Sequence, residues 1–287
     1  MVDDIIVGVC HAAPFVKERL VASPFIPFVS NNLDKRTNPA LSFPGVESII
    51  VVGVGQGDSP PENAKFTAVL SSLGTENDYH TRVKKVLHDL TLEIKSSYGE
   101  FKYRAFVDSP GLDERALSVR AGLGFFGKNG LIISKEFGSR FNIGYMLTDI
   151  PLAVAASIIS LRKLEAGNCP SDCNLCIKSC PNGALGGDYL NTTRCISYLT
   201  QKEELAPAEA KQIGSQLYGC DICQDVCPFN PPRRQTYVNP KDWLDKTDKE
   251  FAAEYGKTAM FWRGAEILRR NAGAVIKNTY TSLDAEQ

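Results

Sequence analysis

The sequence contains no run of about 18 consecutive apolar residues, so no segment has the length and hydropathy of a membrane-spanning helix. Asp3 and Asp4 stand where a secretory leader would carry basic side chains. A soluble, cytoplasmic protein that makes no membrane contact is therefore the expectation. Charge of one sign is missing as well: 32 Lys and Arg against 33 Asp and Glu leave a formal net charge of -1. That balance removes any argument from bulk charge for nucleic-acid binding, although a local basic face is compatible with it. There is no internal repeat of solenoid length and no low-complexity tract. Cysteine is almost absent from the first 168 residues, where Cys10 is alone. It ends the apolar run Ile5 to Val9 and reads as a small buried hydrophobe, not a ligand.

The chain has 287 residues, 43% of them hydrophobic, which suffices for one large domain or two ordinary ones. Composition divides it into two regions near residue 160. In the first part, strand-like and helix-like segments alternate. Ser48 to Val54 is a continuous apolar run of the kind a buried strand shows. Asp78 to Tyr98 predicts a helix capped by Asp78, with Val83, Val86, Leu87, Leu90 and Ile94 on one face and Gly99 ending it. Tyr103 to Val107 and Leu131 to Ser134 predict short strands, and Leu112 to Ala121 a helix between them. The fold class expected is α/β (α+β). From Gly167 the text changes to Cys, Pro, Asn and Gly punctuation, with short helices expected near Thr193 to Glu204 and Pro207 to Leu217. Such a stretch reads as lacking a conventional core, its order coming largely from metal. Trp262 to Asn278 predicts a locally basic helix through Arg263, Arg269, Arg270 and Lys277, most simply a solvated face.

Eight of the nine cysteines lie between Cys169 and Cys227. The first group is Cys169-x3-Cys173-x2-Cys176-x3-Cys180-Pro181 and the second Cys220-x2-Cys223-x3-Cys227-Pro228, with Cys195 between them. In two-cluster ferredoxins, three closely spaced thiolates hold one [4Fe-4S] cubane while the cysteine before the proline crosses to the other. That rule assigns Cys169, Cys173, Cys176 and Cys227 to one cluster, and Cys180, Cys195, Cys220 and Cys223 to a second. Structural zinc is the competing reading of C-x2-C pairs, but zinc does not need the repeated C-x3-C-P crossover. Leu175, Ile177, Val226 and Phe229 are placed to shield a cubane. The x3 spacing after Cys169, where the common run has x2, makes Cys169 the ligand most open to question.

These residues and others resemble the cobalamin-dependent epoxyqueuosine reductases, a family related to the corrinoid reductive dehalogenases. Cys173 to Leu185 (CNLCIKSCPNGAL), Arg194 to Thr200 (RCISYLT) and Gly219 to Asn230 (GCDICQDVCPFN) resemble its cluster segments. Asp78-Tyr79-His80, Val107 to Leu117 (VDSPGLDERAL) and Ala121 to Lys128 (AGLGFFGK) resemble its corrinoid-site segments. The likeness runs from about Phe43 to Asn278. It implies a cobalamin-binding reductase-like domain over 1-160, a double [4Fe-4S] ferredoxin-like domain over 161-240 and a C-terminal helical tail over 241-287. It further implies base-off cobalamin held between the domains, fed through the clusters by a low-potential donor of ferredoxin or flavodoxin type.

The resemblance makes Asp108 the proton donor to the substrate, although Asp108 at a strand end before Pro110 is equally a turn-former. Gly122, Gly124 and Gly127 would bring backbone close to the macrocycle, yet by themselves read as a turn. Ser197 matches a position near the corrin's lower face and otherwise reads as an exposed helix serine. Lys128 is a candidate for an anionic group of the cofactor and otherwise a solvated lysine. His80 reads as a capping or surface group, and no protein ligand to cobalt is expected.

Two departures affect the substrate. Gln201 to Pro207 differs from the family's usual continuation, and the chain stops soon after the entrance to the helical-repeat domain that helps tRNA-modifying members bind the anticodon stem-loop. The leading expectation is a compact reductase that removes oxygen from epoxyqueuosine in tRNA or a related substrate, with tRNA contact weakened by the missing repeats. A corrinoid-dependent reductase of a small molecule or of another corrinoid protein is the second reading, and a two-cluster electron carrier the third.

Overall fold

The Ser48–Gly55 strand is buried along its whole length because it is covered on both faces. Ile50, Val52 and Val54 point to one side and Ile49 and Val51 to the other, as the two-residue period of a strand requires. The structure is a computed structural model describing residues 4–16, 28–57, 68–75, 77–109, 111–159, 167–187 and 189–284. Pro110 and the division near residue 160 lie outside the described residues. A four-stranded sheet orders Ile5–His11, Ser48–Gly55, Phe141–Thr148 and Tyr103–Val107, every neighbouring pair antiparallel. Antiparallel pairing resolves the fold class as α+β.

The Tyr79–Tyr98 helix packs Val83, Leu87, Leu90 and Ile94 on the first face, beside Ile50, Val52 and Met146. Each fully buried aliphatic there contributes roughly 1.5–3 kcal/mol. Asp78 caps the helix by accepting the His80 N–H at 3.0 Å, and Gly99 ends it. Glu114–Arg120 covers the other face through Leu117, with Leu123, Tyr145 and Leu147. Cys10 is 4% exposed in this second layer, where burial pushes its thiol up to about 12. The expected 131–134 strand is reduced to Ile132–Ile133, paired with Phe125–Phe126.

Beyond residue 167 the structure differs from the expectation of a segment without a core. Ile196, Leu199, Ile213, Leu217, Tyr218, Trp243, Phe251, Met260, Leu268, Ala272 and Val275 form one buried cluster that includes Ala68 and Leu70 from the first half. Its apolar residues are spread thinly over some eighty positions, and only the tertiary fold collects them. The helix expected over 207–217 ends at Gln212, because Gly214 (φ +56) turns the chain. Gln216–Tyr218 is instead a strand, parallel to Ala68–Leu70, which pairs antiparallel with Thr236–Val238 on its other edge.

The terminal Gly264–Asp284 helix closes this core, and its basic residues grip neighbouring backbone where a solvated face was expected. Arg270 donates to the carbonyls of Lys202 (2.6 Å) and Glu203 (2.9 Å), and Arg269 to that of Lys246 (2.7 Å). Asn271, fully buried, donates to Thr200 O (2.7 Å) and Leu217 O (2.8 Å), tying the 196–199 helix to the 216–218 strand.

Candidate active site and cluster segment

All eight clustered cysteines are free thiols and half-buried. Cys169, Cys173, Cys176 and Cys227 line one recess with Lys128, Asn129, Ile133, Leu175, Pro228 and Phe229. Burial raises the Cys176 thiol, and the nearby Cys169, Cys227 and Cys173 add to it. The other four interact among themselves. Burial pushes Cys220 up to about 12, with Cys195 and Cys180 contributing. Cys223 is raised by burial and then by Cys220, Cys195 and Cys176, the last a member of the first set, so the two sets are adjacent. Crowded, desolvated thiols of this kind give up their protons to a metal centre whose charge stabilises the thiolates. Among the described residues no three His, Cys, Asp or Glu side chains converge on the geometry of a single ion. Four thiols around one recess, with the other set beside them, are a donor set of the kind that cubanes take.

The x3 insertion after Cys169 is held from below by Lys128. Its Nζ donates to the carbonyls of Pro170 (2.9 Å), Ser171 (2.9 Å) and Cys173 (2.8 Å), and its backbone N–H faces Cys169 Sγ at 3.5 Å. Lys128 is thus neither solvated nor in the large cavity described below. The glycines before it serve the same wall. Gly122 (φ +77) ends the 114–120 helix: its N–H donates to Val119 O and that of Leu123 to Ser118 O, a Schellman pair. A Cβ on Gly124 would lie 2.2 Å from Ile133 O, and one on Gly127 2.6 Å from Asn129 Oδ1. These residues hold the 125–133 hairpin against the first recess. Leu175 and Phe229 are 48% and 40% exposed, so they rim that recess without sealing it.

The second C-x3-C-P segment is clamped by a turn that composition did not single out. Arg140, 5% exposed, reaches Asp225 at 2.6 Å and Asp221 at 3.8 Å. The Ser139 N–H donates to Asn230 Oδ1 (2.6 Å) and its hydroxyl to Gln224 Oε1 (2.9 Å).

A cavity of about 610 Å³ opens between the two halves. The sheet half contributes Tyr79, His80, Asp108, Glu114, Phe141 and Ile143, and the cluster half Gln201, Tyr218 and Trp262. Asp108 follows the Tyr103–Val107 strand with φ +44, the only left-handed non-glycine among the described residues. Aspartate tolerates that conformation better than most residues, but a cost of about 1 kcal/mol persists only where the surroundings enforce it, commonly at functional sites. Here the enforcement is visible. The Tyr79 hydroxyl donates to Asp108 Oδ2 at 2.6 Å, and His80 Nε2 lies 3.9 Å from the same oxygen. Burial, then the charge of Asp108, raises the Tyr79 phenol, so it remains a donor.

Glu114 accepts the Ser109 N–H at 3.2 Å, and burial, then the Asp108 charge, holds its carboxyl at about 8. A protonated acid therefore stands beside Asp108. Sequence reasoning missed Glu114, which at the first turn of a capped helix looked like an ordinary helix-start acid. Its only signal was six-residue proximity to Asp108. The His80 Nδ1–H donates to Asp78 Oδ1 at 2.7 Å, so the capping carboxylate orients the ring, which lines the cavity and is not a free surface group. Ser197 does not line the cavity. It lies one hydrogen bond behind it, its carbonyl accepting from Gln201 Nε2 at 2.7 Å, and is part-buried.

Residues 168–230 match the 4Fe-4S double cluster binding domain, and residues 36–109 match Epoxyqueuosine reductase QueG. The epoxyqueuosine reductase of Lactococcus garvieae is 36% identical over 269 residues, covering 88% of this chain and 74% of the relative. That of Staphylococcus aureus is 34% identical, covering 85% and 67%. The solved epoxyqueuosine reductase of Streptococcus thermophilus superposes with a TM-score of 0.81 at 29% identity, over 95% of this chain and 77% of that one. An epoxyqueuosine reductase solved with an epoxyqueuosine-modified tRNA-Tyr stem loop gives a TM-score of 0.80 at 28% identity, over the same shares. With its double-cluster segment and its strained aspartate facing one cavity, the chain belongs to the epoxyqueuosine reductase family of oxidoreductases.

Proposed function

We propose that the chain reduces epoxyqueuosine in tRNA to queuosine, with cobalamin held in the 610 Å³ cavity and Asp108 as proton donor. The observation that carries this reading is the cavity's position. At about 610 Å³ it lies within the roughly 300–1,000 Å³ of small-molecule pockets. Its walls also run directly into the second cysteine set, through Tyr218 to Cys220 and through Gln201 and Ser197 to Cys195. Apolar Leu73, Phe141, Ile143 and Ala259 suit a flat macrocycle, and Asp108, Tyr79 and Gln201 supply polar contacts. His80 lines the cavity with Nδ1 held by Asp78, and in this reading the cofactor takes no protein ligand. When bound, cobalamin supplies a strongly reducing cobalt centre.

Removing the epoxide oxygen to leave a C=C bond consumes two electrons and two protons and releases water. Cys169, Cys173, Cys176 and Cys227 would hold an outer cluster and Cys180, Cys195, Cys220 and Cys223 a second one, and the pair would supply single electrons drawn from a low-potential ferredoxin or flavodoxin type donor. Asp108 gives a proton to the departing oxygen, with Tyr79 fixing the carboxyl's direction. Gln201, positioned by Ser197, faces the cofactor; Gly122, Gly124, Gly127 and Lys128 shape the outer-cluster wall. In this reading residues 1–160 bind cofactor and substrate, 161–240 bind the clusters and 241–287 brace them. The site of action is the cytoplasm, where tRNA is modified.

The test uses anaerobically cluster-loaded chain with cobalamin, strong reductant and a stem-loop bearing epoxyqueuosine. Conversion to queuosine is expected, and Asp108→Asn should abolish it while cluster absorption persists. Undiminished conversion by the variant would reject Asp108 as donor. No conversion by cobalamin-bound wild type would reject the tRNA substrate in favour of a smaller one.

A further inference from the structure

The chain has two tryptophans, and they are treated oppositely. Trp243 is 1% exposed in the second core, whereas Trp262 is 55% exposed on the rim of the large cavity. Its ring is nonetheless held firmly. The indole Nε1–H donates to Tyr218 Oη at 2.9 Å, and the Phe28 ring meets it edge-on at 5.3 Å and 83°. Phe28 in turn contacts Tyr198 at 5.7 Å. The Arg263 guanidinium lies 4.8 Å from the Trp262 centroid and 5.4 Å from that of Phe28, and its buried Nε has no hydrogen-bond partner among the described residues. Phe28 and Trp262 line both the large cavity and a second hollow beside it, which Tyr198, Lys202 and Arg263 also line. The platform is therefore continuous with the site of reduction.

We propose that Trp262, Phe28, Tyr198 and Arg263 form a stacking platform for the nucleobase adjoining the one that enters the cavity, which rests on the reading above that the substrate base arrives in an RNA loop. Single-stranded loops are recognised by splaying bases onto aromatic rings and guanidinium planes, because every base offers a π-face and stacking tolerates sequence. An indole fixed in orientation by its own N–H, half open to solvent and flanked by a cation, loses little freedom when a base stacks on it. A chain with a formal net charge of -1 gains affinity from such a contact without bulk charge. Packing alone accounts for Trp243 but not for an exposed ring held from its edge.

The test measures binding of an RNA stem-loop of anticodon-arm sequence to the cluster-loaded full chain. A second probe carries an abasic residue on one side of the substrate position, and a third on the other. Wild type should bind one abasic probe about tenfold more weakly than the intact loop. Trp262→Ala should weaken intact-loop binding by a similar factor and lose the discrimination between intact and abasic loops; Trp262→Phe should restore most of both. Indifference of wild type to both abasic probes, or full discrimination retained by Trp262→Ala, would overturn the platform. The wild-type arm needs no variant to fold. A stem-loop that fails to bind wild type at all would instead remove the RNA reading itself, and the platform with it.

Discussion

Replacing Arg140 by methionine is expected to loosen the Cys220 to Cys227 segment from the sheet. The guanidinium faces Asp225 at 2.6 Å and Asp221 at 3.8 Å, with side-chain exposures of 6%, 25% and 15% respectively. At an effective dielectric of about 20, such pairs attract by roughly 6 and 4 kcal/mol before desolvation is subtracted. Removing one partner of a buried pair costs about 3–5 kcal/mol net, because the remaining charge stays buried. Here the carboxylates keep other donors: Asp221 the Ser72 N–H (2.6 Å) and Gln224 Nε2 (3.0 Å), and Asp225 the Gln235 Nε2 (3.2 Å). The cost therefore falls at the lower end, about 3 kcal/mol. With a urea slope of about 3 kcal/mol/M, the unfolding midpoint should drop by about 1 M. The assay is anaerobic urea unfolding of cluster-loaded protein, followed by cluster absorbance and tryptophan fluorescence together. Adding Asp225→Asn to the variant should recover part of the loss, as coupled partners do. A midpoint shift below about 0.2 M, or no recovery in the double variant, would refute the role given to this ion pair.

Glu114 makes stability depend on pH in a definite direction. The folded carboxyl titrates at about 8, the unfolded one near 4.3, so the folded state keeps a proton that the unfolded state releases. The stabilisation is complete below about pH 4.3 and is lost as pH rises to about 8, on the order of 5 kcal/mol in all. Glu114→Gln, neutral throughout, should flatten that decline in unfolding midpoints between pH 5 and 8; parallel wild-type and variant curves would contradict it. Lys128→Met removes the ammonium under three carbonyls of the Cys169 loop, and iron and sulfide per chain should fall by half while the second cluster's spectroscopic signal persists. Full iron content would show that the loop holds its shape unaided. Gly124→Ala places a Cβ 2.2 Å from Ile133 O and should destabilise by about 1–3 kcal/mol, whereas Gly273→Ala, with nothing within 4 Å in a helix interior, should stabilise by about 0.5–1 kcal/mol. Thermal melts of the two variants should move in opposite directions, and movement in the same direction would undo the packing argument.

Much of this protein is local in origin and was therefore legible from sequence. The 48–55 strand, the Asp78 cap and apolar face of the 79–98 helix, the buried Cys10 and the eight-cysteine framework each depend on residues a few positions apart, or on a spacing rule that ligand chemistry imposes. Asp108 was legible as a candidate from its segment, but not its left-handed backbone, which arises from contacts with Tyr79 and Glu114. What only the tertiary structure decided involves partners distant in sequence. The second core gathers Leu70, Leu217, Trp243 and Val275 across two hundred residues, and the 216–218 strand exists because Ala68–Leu70 is beside it. Lys128 and the glycines before it turned toward the cluster recess, Arg269 and Arg270 toward backbone carbonyls, and Arg140 toward two aspartates some eighty residues away. Side chains of that kind look alike in a sequence. Burial and the electrostatics of the neighbour decide what each one does, and the neighbour is supplied by the fold.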